Sequence, residues 1–153
     1  MDVRLATQAD LGHLVAAYMT HVNPSRREAD RFARVHMGYD RALLAEEGGI
    51  VLAGLTWGVR EDARSGLAQV TGVAVSERAR RRGLATLLTL MALEDMDVVF
   101  RARGGALRRA YVWVDQADLA ARRLWEKLAF KQVAQVPDHV KPGRTELIYA
   151  RGS

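Results

Sequence analysis

Apolar residues recur along the chain at two spacings, and the switches between them divide it into elements. Leu11, Leu14, Val15, Tyr18 and Val22 stand at helical spacing behind Thr7-Gln8-Ala9-Asp10, an N-cap residue followed by an acid in the first turn. Val3–Leu5 ahead of them opens a short strand. Asn23-Pro24-Ser25 breaks this helix and caps a second, polar one that runs through about Arg34 and ends near Gly38. Two β-rich runs, Leu43–Glu46 and Ile50–Arg60, flank Gly48-Gly49 and predict a hairpin; the polar turn 61–66 leads into a third strand, Leu67–Val75. The period then changes. Leu84, Leu87, Leu88 and Met91 mark a long helix to about Phe100, closed by Gly104-Gly105. Leu107–Asp115 reads as a strand and Asp118–Leu128 as a helix. Val133–Val136 and Thr145–Tyr149 are two last strands, joined by a loop holding Pro137 and Pro142. An antiparallel meander followed by strand, helix, strand, helix, strand predicts an α/β (α+β) class. The expected architecture is a mixed, mostly antiparallel central sheet of about six or seven strands with helices on both faces, in one domain over residues 1–153.

Composition removes whole classes of chemistry. The chain has no cysteine, so disulfides, thiolate metal sites and a cysteine nucleophile are excluded, and a cytoplasmic setting is expected. Its longest nearly apolar stretch, Gly49–Val59, is too short to span a membrane, and the N-terminus does not read as a signal peptide. His13 and His21 have no acidic partner at metal-ligand spacing, so no metal is expected. The net charge of +5 favours anionic partners. All but Lys127, Lys131 and Lys141 of the basic residues are arginine, a skew that genomic base composition explains as readily as phosphate recognition.

The most informative segment runs from Val73 to Thr86: a buried-looking Val73-Ala74-Val75 strand, a basic loop, and the first turn of the long helix. The first amides of a helix lack intrahelical acceptors and lie at the positive end of its dipole, so a phosphate placed there receives several N–H bonds at once. Small residues at Gly83 and Ala85 allow close approach, and Arg80, Arg81 and Arg82 add charge-assisted contacts. The plainer reading is a solvated helix start. Against it, helix N-termini favour acids, and Arg78 with Arg80–Arg82 opposes the dipole. The segment is neither a Walker loop nor a dinucleotide fingerprint, since the lysine of one and two glycines of the other are missing.

Arg80-x-x-Gly83-x-Ala85 after Val-Ala-Val resembles the acyl-CoA signature of the GNAT superfamily of N-acyltransferases. A second match follows: Asp118-x-x-Ala121-x-x-Leu124-Trp125-x-Lys127-x-Ala129-Phe130 is similar to that family's Asn-x-x-Ala-x-x-Leu-Tyr-x-x-x-Gly-Phe. The resemblance covers nearly the whole chain. It implies acetyl-CoA as co-substrate, lying in an opening between the strand ending at Val75 and the one ending near Val114. The pantetheine would pair with Val73, Ala74 and Val75, and the pyrophosphate would sit on the amides of Arg80, Arg81, Arg82, Gly83, Leu84, Ala85 and Thr86. It also implies that an amide near Val75 polarises the thioester carbonyl and that Asp118 and Arg122 face the cofactor's arm.

Two positions depart from the pattern. Where family members often carry a glutamate base this chain has Gln69, and where they often carry a tyrosine acid it has Trp125. A thiol of pKa ~8.5 leaves as thiolate near neutrality at a small deficit, so a missing acid is tolerable. A missing base matters more: deprotonating a lysine-like amine at pH ~7.4 costs about 4 kcal/mol, an α-amine well under 1. Low-pKa amines are therefore the expected acceptors. His36, Tyr39, Glu61, Asp62, His139 and Tyr149 are the other groups that could stand near the site, each more simply read as structural or solvated. Trp125 suits a core position or a place lining the acyl pocket, and Trp57 and Trp113 read as sheet core.

The leading expectation is an N-acetyltransferase in which a primary amine, on a small molecule or a peptide, attacks the thioester directly. An acyl-CoA-binding sensor with little catalysis is the alternative that Gln69 and Trp125 motivate. A nucleic-acid binder using Arg78, Arg80–Arg82, Arg101, Arg103, Arg108 and Arg109 is unfavoured, because aromatic residues do not interleave with the basic ones. The basic residues Arg26, Arg27, Arg60, Arg64, Lys141 and Arg144 hint at an acceptor bearing a carboxylate or phosphate. An exposed sheet edge at the last strands would favour a homodimer.

Overall fold

A computed structural model describes residues 1–21, 25–31, 41–62 and 64–152. Its elements are β1 (Asp2–Leu5), α1 (Leu11–His21), β2 (Arg41–Glu47), β3 (Ile50–Arg60), β4 (Leu67–Val75), α2 (Leu84–Ala102), β5 (Arg109–Asp115), α3 (Leu119–Lys127), β6 (Lys131–Pro137) and β7 (Thr145–Gly152). Residues 26–31 are also helical; the rest of the polar helix expected there, with His36 and Tyr39, lies outside the described residues. The strands form one seven-stranded sheet in the order β1-β2-β3-β4-β5-β7-β6. Pairing of β4 with β5 is parallel, and that of β1 with β2, β2 with β3, β5 with β7 and β6 with β7 is antiparallel. This is the mixed, mostly antiparallel sheet that the element order predicts.

The chain forms two compact units, Met1–Gly58 with Gly72–Ala92 and Val59–Thr71 with Leu93–Ser153, so that β3, β4 and α2 each contribute to both. In the first unit Leu44, Leu55 and Trp57 are fully buried on the β2–β3 hairpin, whose tight turn is made by Gly48 and Gly49, both at positive φ. The N-terminus of α1 is preceded by a 3-10 turn, Gln8–Asp10. The Asp10 carboxylate takes two hydrogen bonds from Arg4 at 2.9 Å and one from the Thr7 amide at 2.7 Å. Arg4 thereby holds that carboxyl far below the usual carboxylate range. The second unit buries Trp125, Phe130, Leu147 and Tyr149, with β6 exposed along the sheet edge.

The apolar positions that mark α2 are not equally buried. Leu84, Leu88, Ala92, Met96 and Phe100 are buried, whereas Leu87 and Met91 are more than a third exposed. The 19-residue helix buries an i, i+4 ridge, while the i, i+3 positions lie toward solvent. Thr89, fully buried in the same helix, donates its hydroxyl to the Ala85 carbonyl at 2.7 Å.

Candidate active site

In the first unit the segment after β4 forms the loop and helix start read from the sequence. Ser76 N–H donates to the Leu52 carbonyl at 2.8 Å, which anchors the end of β4 to β3. A 3-10 turn, Glu77–Ala79, follows, with Ala79 buried beneath it. Arg81 and Gly83 both lie in the left-handed region, at φ 65° and 74°. These two reversals turn the chain sharply into α2, whose first backbone bond runs from Leu87 N–H to Gly83 O at 3.0 Å. The amides of Leu84, Ala85 and Thr86 precede that bond, at the positive end of a long helix. A Cβ built on Gly83 would meet nothing within 4 Å, so the space in front of the loop is open. Amides of this kind suit a phosphate or pyrophosphate, and the co-substrate expected from the sequence fits the residues present.

The arginines of this loop do not act as one group. Arg82 is held by Glu47 at 2.7 Å, and this partner pulls the Glu47 carboxyl below its ordinary value. Arg78, Arg80 and Arg81 are exposed and have no carboxylate partner among the described residues. Among the described residues the unfavourable charge at the helix start is thus only partly relieved. Glu47 was not foreseen; 35 positions separate it from Arg82, and no spacing rule links them.

The second unit holds the remaining sequence-predicted residues. Gln69 is half-buried on β4, opposite Tyr111 of β5 in the parallel register. Its Oε1 accepts a 2.6 Å hydrogen bond from Arg60 Nε at the end of β3. Asp118 caps α3: its carboxylate accepts from the Ala121 amide at 3.0 Å. Arg122 donates to the Gln116 carbonyl at 3.0 Å and to the Tyr149 hydroxyl at 3.3 Å, and that hydroxyl in turn donates to Glu126 at 3.0 Å. Trp125 is 3% exposed and packs edge-to-face on Phe130, ring centroids 5.2 Å apart. Of its two expected roles, the core position is the one its surroundings describe.

Of the other candidate groups, Glu61 is exposed at φ 57°, and Asp62, Tyr149 and His139 are engaged in local structure. Asp62 Oδ1 accepts from the Arg64 and Ser65 amides and closes the β3–β4 turn. Tyr149 is 1% exposed, in the core as expected. His139 stacks on Trp113 with centroids 5.1 Å apart, and its Nε2 is 4.0 Å from Glu146. Trp57 is core as expected, while Trp113 is half-buried under that histidine. Among the described residues no group of three or more histidines and acids is placed to hold a metal ion, and no helix is long and apolar enough to cross a membrane.

The model of the acetyltransferase (GNAT) family matches residues 9–130, which contain the loop, α2, β5 and α3. The chain belongs to the GNAT family. GNAT enzymes transfer an acetyl group from acetyl-CoA to an amine, and this chain is an N-acetyltransferase of that kind, with CoA binding and acetyl-CoA as co-substrate. Solved GNAT structures share its fold from end to end. A ribosomal-protein-alanine N-acetyltransferase from Brucella melitensis is 19% identical, with a TM-score of 0.77 and 100% of both chains covered. An N-acetyltransferase from Staphylococcus aureus Mu50 is 18% identical, with a TM-score of 0.76 over 99% of this chain and 97% of that one. An aminoglycoside 6'-N-acetyltransferase complexed with coenzyme A is 14% identical, with a TM-score of 0.82 over 99% of this chain and 97% of that one. At these identities the likeness is one of fold. No curated protein matches the sequence.

Proposed function

We propose that the chain works as a single catalytic domain in which a neutral primary amine attacks the acetyl-CoA thioester directly. The new N–C bond forms as the C–S bond breaks, the CoA thiolate departs, and the amine's surplus proton passes to solvent. The observation that carries the reading is the start of α2: amides preceding the first helical bond, two left-handed residues that present them, and open space at Gly83. Arg80, Arg81, Arg82, Gly83, Leu84, Ala85 and Thr86 bind the pyrophosphate. Val73, Ala74 and Val75 bind the pantetheine as an added strand would, and the Val75 amide polarises the carbonyl. Asp118 and Arg122 are assigned to the same cofactor.

Gln69 and Trp125 occupy the positions of the missing base and acid. Gln69 has no proton-accepting chemistry at neutral pH and Trp125 is buried, so neither ionises during turnover. The amine must therefore arrive neutral, which favours low-pKa acceptors, whether small molecules or peptides. The reading includes a cytoplasmic setting, supported by the cysteine-free composition, no role for a membrane or nucleic acid, and a homodimer formed through the exposed β6 edge.

The decisive experiment is calorimetric titration of acetyl-CoA into the native protein and the Ala85→Glu variant. A glutamate in the first turn of a helix is compatible with the dipole, so the fold is retained, yet it puts bulk and negative charge against the phosphates. Gly83 is a poorer choice, because any side chain there is strained at φ 74°. The expected result is micromolar affinity that falls by about a hundredfold in the variant at an unchanged thermal midpoint. Equal affinity in both proteins would refute the assignment.

A further inference from the structure

Resting on the reading of Gln69 as a residue of the transfer site, we infer that the Arg60–Gln69 pair recognises an oxyanion, carboxylate or phosphate, carried by the acceptor amine. The guanidinium of an arginine has only donors, so the 2.6 Å bond from Arg60 Nε determines which way the Gln69 amide points. The Gln69 carbonyl oxygen is turned to Arg60, which takes one of its two lone pairs, and its NH2 group is left for a ligand. Together with the two terminal nitrogens of Arg60 this makes a surface dominated by donors. An ammonium finds there only the second lone pair of an oxygen already bound to a guanidinium. A carboxylate or phosphate oxygen is complementary to the donors it presents. Where the family resemblance implies a proton-accepting glutamate, this position instead presents donors, suited to the anionic substituent of the acceptor rather than to its amine.

The surroundings keep the pair in place and leave its charge unmet. Arg60 lies at the end of β3, and the single hydroxyl hydrogen of Ser65 is shared between its carbonyl at 2.9 Å and the Asp62 carbonyl at 2.7 Å. The Arg108 guanidinium closes on the other side of the turn by donating to the Ser65 carbonyl at 2.9 Å. Gly66 is forced at the same corner, since a Cβ there would collide with the Ala106 carbonyl, and its own carbonyl accepts the Arg108 and Arg109 amides. No carboxylate lies within ion-pair distance of Arg60 among the described residues. The nearest acid in sequence with a fixed role, Asp62, spends Oδ1 on the Arg64 and Ser65 amides. Arg64, Arg108 and Arg109, all exposed around the same turn, add to the positive potential that would draw an anion in.

The test uses acceptors paired by charge, triglycine against triglycinamide and phosphoethanolamine against ethanolamine, with CoA release as the readout and each rate referred to the neutral fraction of the amine, because an adjacent anion raises the amine's pKa. The native enzyme should prefer the charged member of at least one pair by roughly ten- to hundredfold in kcat/KM, the discrimination appearing in KM. Which pair shows it tells carboxylate from phosphate. Arg60→Gln should erase the preference by raising KM for the charged acceptor to that of its uncharged partner; Arg60→Lys should restore part of it; Arg103→Gln, which removes an equal charge elsewhere, should keep both the preference and the basal rate. Equal use of charged and uncharged acceptors by the native enzyme, failure to use any charged acceptor, or equal loss of both in Arg60→Gln overturns the inference. Gln69→Glu separates this from failure of the site reading: if Gln69 stands at the transfer site, the variant changes turnover whatever the charge preference. An unchanged rate there would instead remove the reading beneath the inference.

Discussion

The turn between β4 and α2 carries Arg78, Arg80, Arg81 and Arg82; the turn between β3 and β4 carries Arg60 and Arg64, with Arg108 hydrogen-bonded against it. Both hold left-handed residues and a glycine that the path of the chain requires. In the first, the groups aimed at a ligand are backbone amides at a helix start, and the arginines are exposed or, in Arg82, already paired with Glu47. In the second, two guanidinium groups are pinned, one on Gln69 and one on the Ser65 carbonyl, and the side chains themselves are the recognition surface. A backbone site tolerates variation in the charges around it, because its donors are supplied by the fold. A side-chain site is specific to the residues that build it, and it is where one acetyltransferase can differ from another in the amine it takes.

The pH dependence of transfer tests the second region most severely. With no ionising base at Gln69, log kcat/KM should rise by one unit per pH unit up to the pKa of the free acceptor, about tenfold per unit, and the break should move when the acceptor is changed. A break at one pH for all acceptors would reveal a protein base and dissolve the contrast. The first region is tested by removing charge without touching backbone. Arg80→Gln/Arg81→Gln should weaken acetyl-CoA binding only about fivefold, far less than Ala85→Glu; a loss as large as that variant's would mean that side chains, not amides, carry the affinity. The smallest effect is expected at Asp62→Ala, which loosens the turn holding Arg60. Stability should fall by about 1 kcal/mol by chemical denaturation and the preference for an anionic acceptor by about threefold, with acetyl-CoA binding unaffected. Weakened acetyl-CoA binding in that variant would show the two turns to be one functional unit.

Much of this was readable in advance, and the reason differs by element. The sheet, its strand order of elements and the loop at 76–83 follow from local signals: hydrophobic period, turn glycines, and a strand followed by a basic loop and an amphipathic helix. These depend on residues close together in the chain, so they are written in it. The helix of α2 is legible from Leu84, Leu87, Leu88 and Met91, but a period alone does not say that Leu84 and Leu88 face the core while Leu87 and Met91 are partly exposed. Trp125 had two compatible roles in sequence, and its burial and packing on Phe130 are visible only in the fold.

The sequence by itself determined the class of sheet, the family signatures at Arg80–Ala85 and Asp118–Phe130, and the presence of Gln69 and Trp125 where the resemblance implies a glutamate and a tyrosine. Tertiary structure decided what surrounds those positions. That Glu47 holds Arg82, that Arg60 binds the Gln69 amide oxygen, and that Tyr149 ties Arg122 to Glu126 are contacts between residues apart along the chain. Hydrogen bonds of this kind depend on separations of about 3 Å and on direction, which exist only once strands and turns have been brought into register.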